Sequence, residues 1–150
     1  MTPTSSVRPL AVLAALAAVL GGGCGSAPDD SAAEQVHDLL VGTWLREYQE
    51  EATAVRRVLV LEPDGSFREK STVTAGADSV AGHDGEGVWL FDGTNLKRHY
   101  RRMDGRAPSA PTMPFATFAV RFSSHNEFIG VDNVHRIEVR YRRVADGTVP

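Results

Sequence analysis

Cys24 is the only cysteine of the 150-residue chain and the side chain best placed to undergo chemistry. It follows an apolar run from Pro9 to Leu20 and three glycines, with Arg8 near the start. The run is shorter than the roughly 20 apolar residues that a membrane span needs, and the small residues after it suit cleavage by a signal peptidase. The leader therefore predicts export, with the Cys24 thiol available for acylation.

The spacing around Cys24 resembles a bacterial lipobox, in which a small residue precedes a cysteine that is diacylated and becomes the new N-terminus. Leu usually stands three residues before that cysteine, whereas Gly21 occupies the position here and Leu20 lies one residue earlier. The alternative is an ordinary secretory signal that leaves a free thiol, which would be a liability in an oxidising compartment. Two acyl chains, such as palmitate, anchor a protein stably. We expect a lipid-anchored protein of the bacterial cell envelope, in the outer membrane if the host is Gram-negative.

The other residues that commonly carry chemistry form no motif. The five histidines are His37, His83, His99, His125 and His135. No two of them have His-x-His or His-x-x-x-His spacing, and one cysteine cannot build a disulfide, a CxxC motif or a Cys-based zinc site. Strands distant in sequence can still bring histidines together on a metal or haem, so that alternative stays open.

A catalytic role has little support in the sequence. His83-Asp84 could form part of a dyad, but the serines show no Gly-x-Ser-x-Gly elbow that would supply its nucleophile. We therefore expect a protein that is not an enzyme and that has no catalytic residues, cofactor or metal.

Length and charge indicate one acidic domain. Removing residues 1–23 leaves a formal net charge of about −4, because the whole chain carries −3 and Arg8 is the only charged residue of the leader. This charge argues against nucleic acid as a partner. We divide the chain into a signal peptide (1–23), a flexible tether (24–30) and a β-barrel domain (31–150), which is long enough to bury a core.

A short helix is predicted at the start of this domain. Ser31-Ala32-Ala33-Glu34 matches a capping box, in which the serine hydroxyl and the glutamate carboxylate each bind the backbone amide of the other residue. Val36, Leu39 and Leu40 fall on one side of the helix, and Gly42 predicts its end. We expect this helix to cover one end of the structure that follows.

From Thr43 onward, runs of β-branched, aromatic and arginine residues alternate with turn signals. Asp-Gly, which tolerates the positive φ of tight hairpin turns, occurs at Asp64-Gly65, Asp84-Gly85, Asp92-Gly93, Asp104-Gly105 and Asp146-Gly147. The predicted strands are Thr43 to Glu50, Val55 to Glu62, Ser66 to Thr74, Gly87 to Phe91, Asn95 to Arg102, Phe115 to Ser123, Glu127 to Asp132 and Val134 to Val144.

Alternation along these strands predicts one buried face. In the last strand Ile137, Val139 and Tyr141 alternate with charged residues, which indicates one buried face and one solvent-exposed face. So many strands in about 100 residues must form a sandwich or close, and we favour an eight-stranded antiparallel meander closed into a barrel. The proline-rich stretch from Arg106 to Pro114 is predicted to be a rim loop.

The basic run from Lys97 to Arg102 is interpreted as a strand with a solvated side, although it could also bind an acidic polymer or lipid headgroups. Leu96 and Tyr100 are predicted to face inward, with Arg98 and Arg102 near a rim. Acidic residues on other strands can offset these arginines across the sheet.

Several short motifs resemble the bacterial lipocalin-like domains of the calycin group. They are Gly42-Thr43-Trp44 after the helix, Leu59-x-Leu61-x-x-Asp64-Gly65-x-Phe67, Gly87-x-Trp89 and Tyr141-x-Arg143. In that family the Gly-x-Trp tryptophan closes the barrel bottom beneath an arginine of the final strand. The resemblance implies that Trp44 and Arg143 form this barrel-closing pair, which a cation–π contact would stabilise.

Two functions remain open at this stage. In the first, the barrel binds a small apolar molecule or lipid, and the candidate lining residues are Tyr48, Leu59, Phe67, Trp89, Tyr100, Phe118 and Phe122. An eight-stranded barrel is just wide enough for one small ligand, so the same residues could simply fill the core. In the second, the protein is a structural or interaction module, an inhibitor or assembly factor, whose rim loops (75–86 and 106–114) contact an envelope protein.

Overall fold

A computed structural model describes residues 30–76, 79–111 and 114–150. The predicted signal peptide, Cys24 and most of the tether lie outside these described residues. One helix precedes eight strands: α1 (Asp30–Leu40), β1 (Gly42–Glu50), β2 (Thr53–Leu61), β3 (Ser66–Ala75), β4 (Ser79–Phe91), β5 (Asn95–Met103), β6 (Phe115–Ser124), β7 (Glu127–Asp132) and β8 (Glu138–Arg143). The predicted fold class is confirmed.

The eight strands form a closed antiparallel barrel in which each strand pairs with its neighbour in the chain. Closure is made by β1 and β8, where Trp44 lies opposite Arg143 and Leu45 opposite Arg142. A closed barrel leaves no unpaired strand edge and places alternate side chains inside. The architecture is consistent with a lipocalin-like fold.

Four of the five Asp-Gly pairs lie in turns or irregular segments, and the fifth does not. Asp84-Gly85 was predicted as a turn but lies within β4, opposite Lys70 and Glu69 of β3. Gly85 is needed there for a packing reason, because a Cβ atom on it would come within 2.8 Å of the Tyr100 ring. The glycine therefore makes room for an aromatic side chain rather than for a turn.

Two predicted strand boundaries are wrong. β4 begins at Ser79 instead of Gly87, so most of the predicted rim loop 75–86 is a strand that continues the pairing with β3. β8 begins at Glu138 instead of Val134, and Ile137 is 57% exposed rather than part of the buried face. Asp132 explains why β8 starts later than predicted. Its carboxylate accepts hydrogen bonds from the backbone amides of Val134 and His135 and stabilises a turn before the strand.

Helix α1 covers one end of the barrel, as predicted, although it begins at Asp30, one residue before Ser31. Leu40 is completely buried in the barrel core, and Val36 packs against that core. The indole of Trp44 donates a 2.7 Å hydrogen bond to the carbonyl of Leu40. In the part of the chain described here, no helix is long and apolar enough to cross a bilayer.

The C-terminal tail after β8 lies against the outer wall. The Thr43 hydroxyl donates to the Asp146 carboxylate at 2.7 Å, and Val149 borders a groove with Val58 and Val60 of β2. Leu45 and Val58 face outward yet are buried. The tail thus helps to cover an apolar strip that the alternation of β1 and β2 would leave in water.

Candidate ligand-binding site at the open end of the barrel

The two ends of the barrel differ. The end where β1 starts is covered by α1 and carries the 62–65, 92–94 and 125–126 turns; we call it the helix end. The opposite end carries the segments 51–52, 104–111 and 133–137 and is not covered by α1; we call it the open end. A small molecule entering the barrel would come through the open end.

The helix end is sealed by the pair that the family resemblance implied. The guanidinium of Arg143 lies 4.2 Å from the ring centroid of Trp44. Arg143 also donates to the carbonyls of Leu39 and Val41, at the end of α1. The structure therefore places Trp44 and Arg143 together, where a cation over an indole face is attracted by the ring quadrupole.

The predicted ligand-lining residues are mostly packed into the core. Leu59 is completely buried, and the others that the structure buries are Phe67, Trp89, Tyr100 and Phe118. Phe122 is half-buried and packs edge-on against Trp44. Tyr48 alone of this predicted set is a half-buried residue near the open end. The part of the barrel next to the helix end is thus filled by the protein's own side chains.

Toward the open end, most inward-facing side chains are partly exposed, although Val55 is buried. These half-buried residues define what we call the mouth: Arg46, Tyr48, Arg57, Val73, Met103 and Ala116. Five of them share strand parity with residues of the buried core, so they face the barrel interior. Met103 faces inward because the irregularity between Glu86 and Gly87 shifts the register and places it opposite Gly85. Exposure at inward positions means that solvent reaches the interior from the open end.

A buried charged cluster forms the floor of the mouth. Arg98, 2% exposed, donates a hydrogen bond to the carboxylate of Glu69, and Arg57 Nε lies 3.7 Å from the other oxygen of that carboxylate. The Tyr100 hydroxyl donates to Glu69 at 3.3 Å. The Arg98 guanidinium also lies 5.3 Å from the Phe118 ring centroid. Arg98 and Glu69 are paired and hydrogen-bonded, as buried charges need to be, whereas Arg57 is within ion-pair distance of Glu69 without a hydrogen bond from its Nε.

The electrostatics of this cluster keep Glu69 ionised. Burial raises the pKa of the Glu69 carboxyl, but the guanidinium groups of Arg98 and Arg57 outweigh burial and hold the pKa below its ordinary value. Burial also raises the pKa of the Tyr100 phenol well above its usual range. At neutral pH the cluster therefore contains two cations, one carboxylate and a neutral tyrosine.

Sequence reasoning missed this cluster, and its prediction for Arg98 was wrong. Arg98 was placed near a rim, but it lies in the interior because it shares parity with Leu96 and Tyr100. The same signal was present for Glu69, which alternates with Phe67. The signal in the sequence was a charged residue on each of several strands at a position that alternation assigns to the buried face. Such charges must find partners of opposite charge inside the barrel.

The histidines lie apart from the mouth cluster or at its rim. His37 stacks on Trp89 at the helix end, and His99 stacks on Phe115 on the outer wall. His83 lies 3.2 Å from the Asp104 carboxylate near the open end. Within the described residues, no three histidine, cysteine, aspartate or glutamate side chains are grouped as metal ligands would be.

Comparison with known proteins gives no family assignment. Neither a protein-family model nor a curated protein matches this chain at significant similarity.

Proposed function

We propose that this protein is a lipid-anchored, non-enzymatic component of the bacterial cell envelope, with a lipocalin-like barrel that binds a small molecule in its mouth. The observation that carries the ligand-binding part is the change along the barrel axis. In the middle of the barrel the inward side chains Leu59, Phe67 and Arg98 are buried, whereas most inward side chains toward the open end are half-buried. Phe91 and Phe122 at the helix end are also half-buried, but that end is covered by α1. Ligand pockets combine apolar walls with a few convergent polar groups, and the mouth has both.

The shape of the barrel restricts the ligand. The core residues Leu59, Phe67 and Trp89 fill the barrel between the floor of the mouth and the helix end, so a long apolar molecule has no room there. The ligand instead occupies the mouth, between the Arg98 and Glu69 pair and the rim. A short amphipathic molecule fits this depth better than the wholly apolar ligand that the aromatic residues suggested.

Native mass spectrometry of the protein purified from its own host tests binding. We expect a co-purifying mass that disappears in Ala116→Phe, which fills the mouth from a half-buried inward position. Ala54→Phe is the matched control, since Ala54 is exposed and has the outward parity on β2. A uniformly ligand-free wild-type mass, or a mass that Ala116→Phe retains, would overturn the mouth as the site.

The anchor is tested separately. We expect metabolic labelling with radioactive palmitate to mark the wild-type chain and to be lost in Cys24→Ser, which cannot be acylated. The wild type should fractionate with membranes and the variant should not. Equal membrane association of both proteins would contradict anchoring through Cys24.

One observation favours a second function, an interaction module. Three large apolar side chains at or next to the open end are exposed: Phe115 by 58%, Val134 by 81% and Ile137 by 57%. Exposed apolar residues at one end of a domain are typical of protein contact sites. A single envelope protein crosslinked to the wild type in cells, and lost in Val134→Ser, would support this function; unchanged crosslinking would exclude this surface.

A further inference from the structure

The inward-facing charges of the mouth do not balance within the described part of the chain. Arg46 and Arg57 lie directly opposite each other on β1 and β2, and both face inward. Like charges at directly opposed positions destabilise a strand pair. Arg46 contacts the Tyr48 ring, 4.0 Å from its centroid, but no described carboxylate lies within ion-pair distance of it.

The carboxylates with inward parity near this pair are either engaged elsewhere or exposed to solvent. Glu69 is bound by Arg98 and is too far from Arg57 Nε for a hydrogen bond, at 3.7 Å. Asp132 has inward parity at the rim, but its carboxylate already accepts hydrogen bonds from the backbone amides of Val134 and His135. Glu50 is exposed at the end of β1. Three inward arginines therefore share one buried carboxylate, and the mouth carries surplus positive charge.

Among the described residues, three buried polar atoms at this place also have no hydrogen-bond partner. They are Nε of Arg57, Nε of Arg98 and the hydroxyl of Tyr141. Tyr141 lies close enough to Arg57 and Arg98 to interact with these two arginines electrostatically. Buried polar groups in native proteins are almost always bonded, so unpartnered polar atoms beside surplus positive charge are suited to receive a negatively charged acceptor.

The site can be reached from solvent. The Arg57 side chain is 26% exposed, whereas that of Arg98 beneath it is 1% exposed. An anion entering at the open end therefore meets Arg46 and Arg57 before it reaches the floor. Small or aliphatic inward residues of the mouth, Val73 and Ala116, leave an apolar wall for the rest of such a molecule.

We propose that the mouth binds the carboxylate of a small amphipathic molecule, held between the guanidinium groups of Arg46 and Arg57 with the Tyr141 hydroxyl as a further donor. This inference rests on the proposed function and specifies its ligand class. A planar guanidinium matches a carboxylate in two parallel hydrogen bonds, and the bound anion neutralises the opposed arginine pair.

Isothermal titration calorimetry on the purified full chain tests the proposal with three probes at constant ionic strength. The probes are sodium hexanoate, hexan-1-ol and sodium phosphate. We expect hexanoate to bind at least about tenfold more tightly than hexan-1-ol, because charge-assisted hydrogen bonds to an anion are among the strongest in proteins. Phosphate, which lacks the apolar tail, is expected to bind more weakly than hexanoate.

Variants assign the binding to the named residues. Arg57→Met should weaken hexanoate binding by at least about tenfold and leave hexan-1-ol unchanged. Tyr141→Phe should weaken it severalfold, and it removes only a hydroxyl that has no partner, so it decides the question if Arg57→Met fails to fold. Arg121→Met is the matched control, because Arg121 pairs with Glu138 on the outer wall, and its hexanoate affinity should equal that of the wild type.

The outcomes separate this inference from the proposed function. Equal affinity for hexanoate and hexan-1-ol, or an unchanged affinity in Tyr141→Phe, would overturn the carboxylate site while mouth binding stands. Phosphate binding as tight as hexanoate would replace the amphipathic ligand with a simple anion and also overturn the proposal. Failure of the wild type to bind any probe, together with a ligand-free native mass, would overturn both.

Discussion

Arg143 joins the last strand to the N-terminal helix by stacking on Trp44 and binding helix carbonyls at the same time. Its guanidinium lies over the indole at 4.2 Å and donates to the carbonyls of Leu39 and Val41. The indole in turn donates to the carbonyl of Leu40. The last two carbonyls of α1 and the carbonyl of Val41 just after it are thereby satisfied by two side chains of the barrel.

Trp44→Ala should lower the free energy of unfolding by about 3 to 5 kcal/mol, because it empties a fully buried site and leaves the Leu40 carbonyl without its donor. Urea denaturation followed by circular dichroism measures the change. Phe115→Ala is the control for an aromatic residue that is 58% exposed, and it should cost far less. Equal losses for the two variants would show that Trp44 does not seal the helix end.

Gly42→Ala should destabilise the protein by displacing Arg143. Gly42 has a φ of +132°, and a Cβ atom there would lie 2.4 Å from Nη1 of Arg143. Gly76→Ala is the control, because Gly76 also has a positive φ, +68°, with no atom near the added Cβ. Both variants incur a backbone cost of about 1 kcal/mol or more. A larger loss of unfolding free energy in Gly42→Ala is expected in urea titrations, and equal losses would count against the Arg143 contact.

Gly87→Ala should be the most damaging glycine substitution in the barrel. A Cβ atom on Gly87 would lie 1.9 Å from the carbonyl oxygen of His99, a backbone atom that cannot rotate away, at the irregularity between β4 and β5. We expect a loss of about 3 kcal/mol or more, or failure to fold. Gly82→Ala, where the nearest atom is at an ordinary 3.9 Å, should be tolerated. Similar melting temperatures for both would contradict the close approach of β4 and β5.

Glu69 should contribute to acid sensitivity. Burial raises the pKa of its carboxyl, but Arg98 and Arg57 outweigh burial and lower the folded-state pKa below its ordinary 4.5. The resulting stability is therefore present above about pH 4.5 and is lost as the pH falls through the lower folded-state value. Urea midpoints measured from pH 7 to pH 3 should fall less steeply for Glu69→Gln than for the wild type. Parallel curves would show that Glu69 is not ionised in the folded protein.

Much of the fold could be predicted from local sequence signals. The alternation of Val139 and Tyr141 with charged residues, the Asp-Gly turns at Asp64 and Asp92, and the change of period after Gly42 gave the strand number and the closed meander. These signals are local, because side-chain parity and turn conformation depend on a few adjacent residues. The same signals failed at Asp84-Gly85, where a turn pair serves the packing of Tyr100 from another strand.

The sequence by itself determined the acidic net charge and the strand alternation, which depend on composition and short-range periodicity, and it predicts an export signal that ends at Cys24. Only the tertiary structure decided that Arg98 pairs with Glu69 inside the barrel and that Arg46 faces Arg57 across β1 and β2. Those contacts depend on register and closure, which bring together residues far apart in the chain. The charge and the polar groups of the mouth therefore depend on contacts between several strands, which no single segment of the sequence reveals.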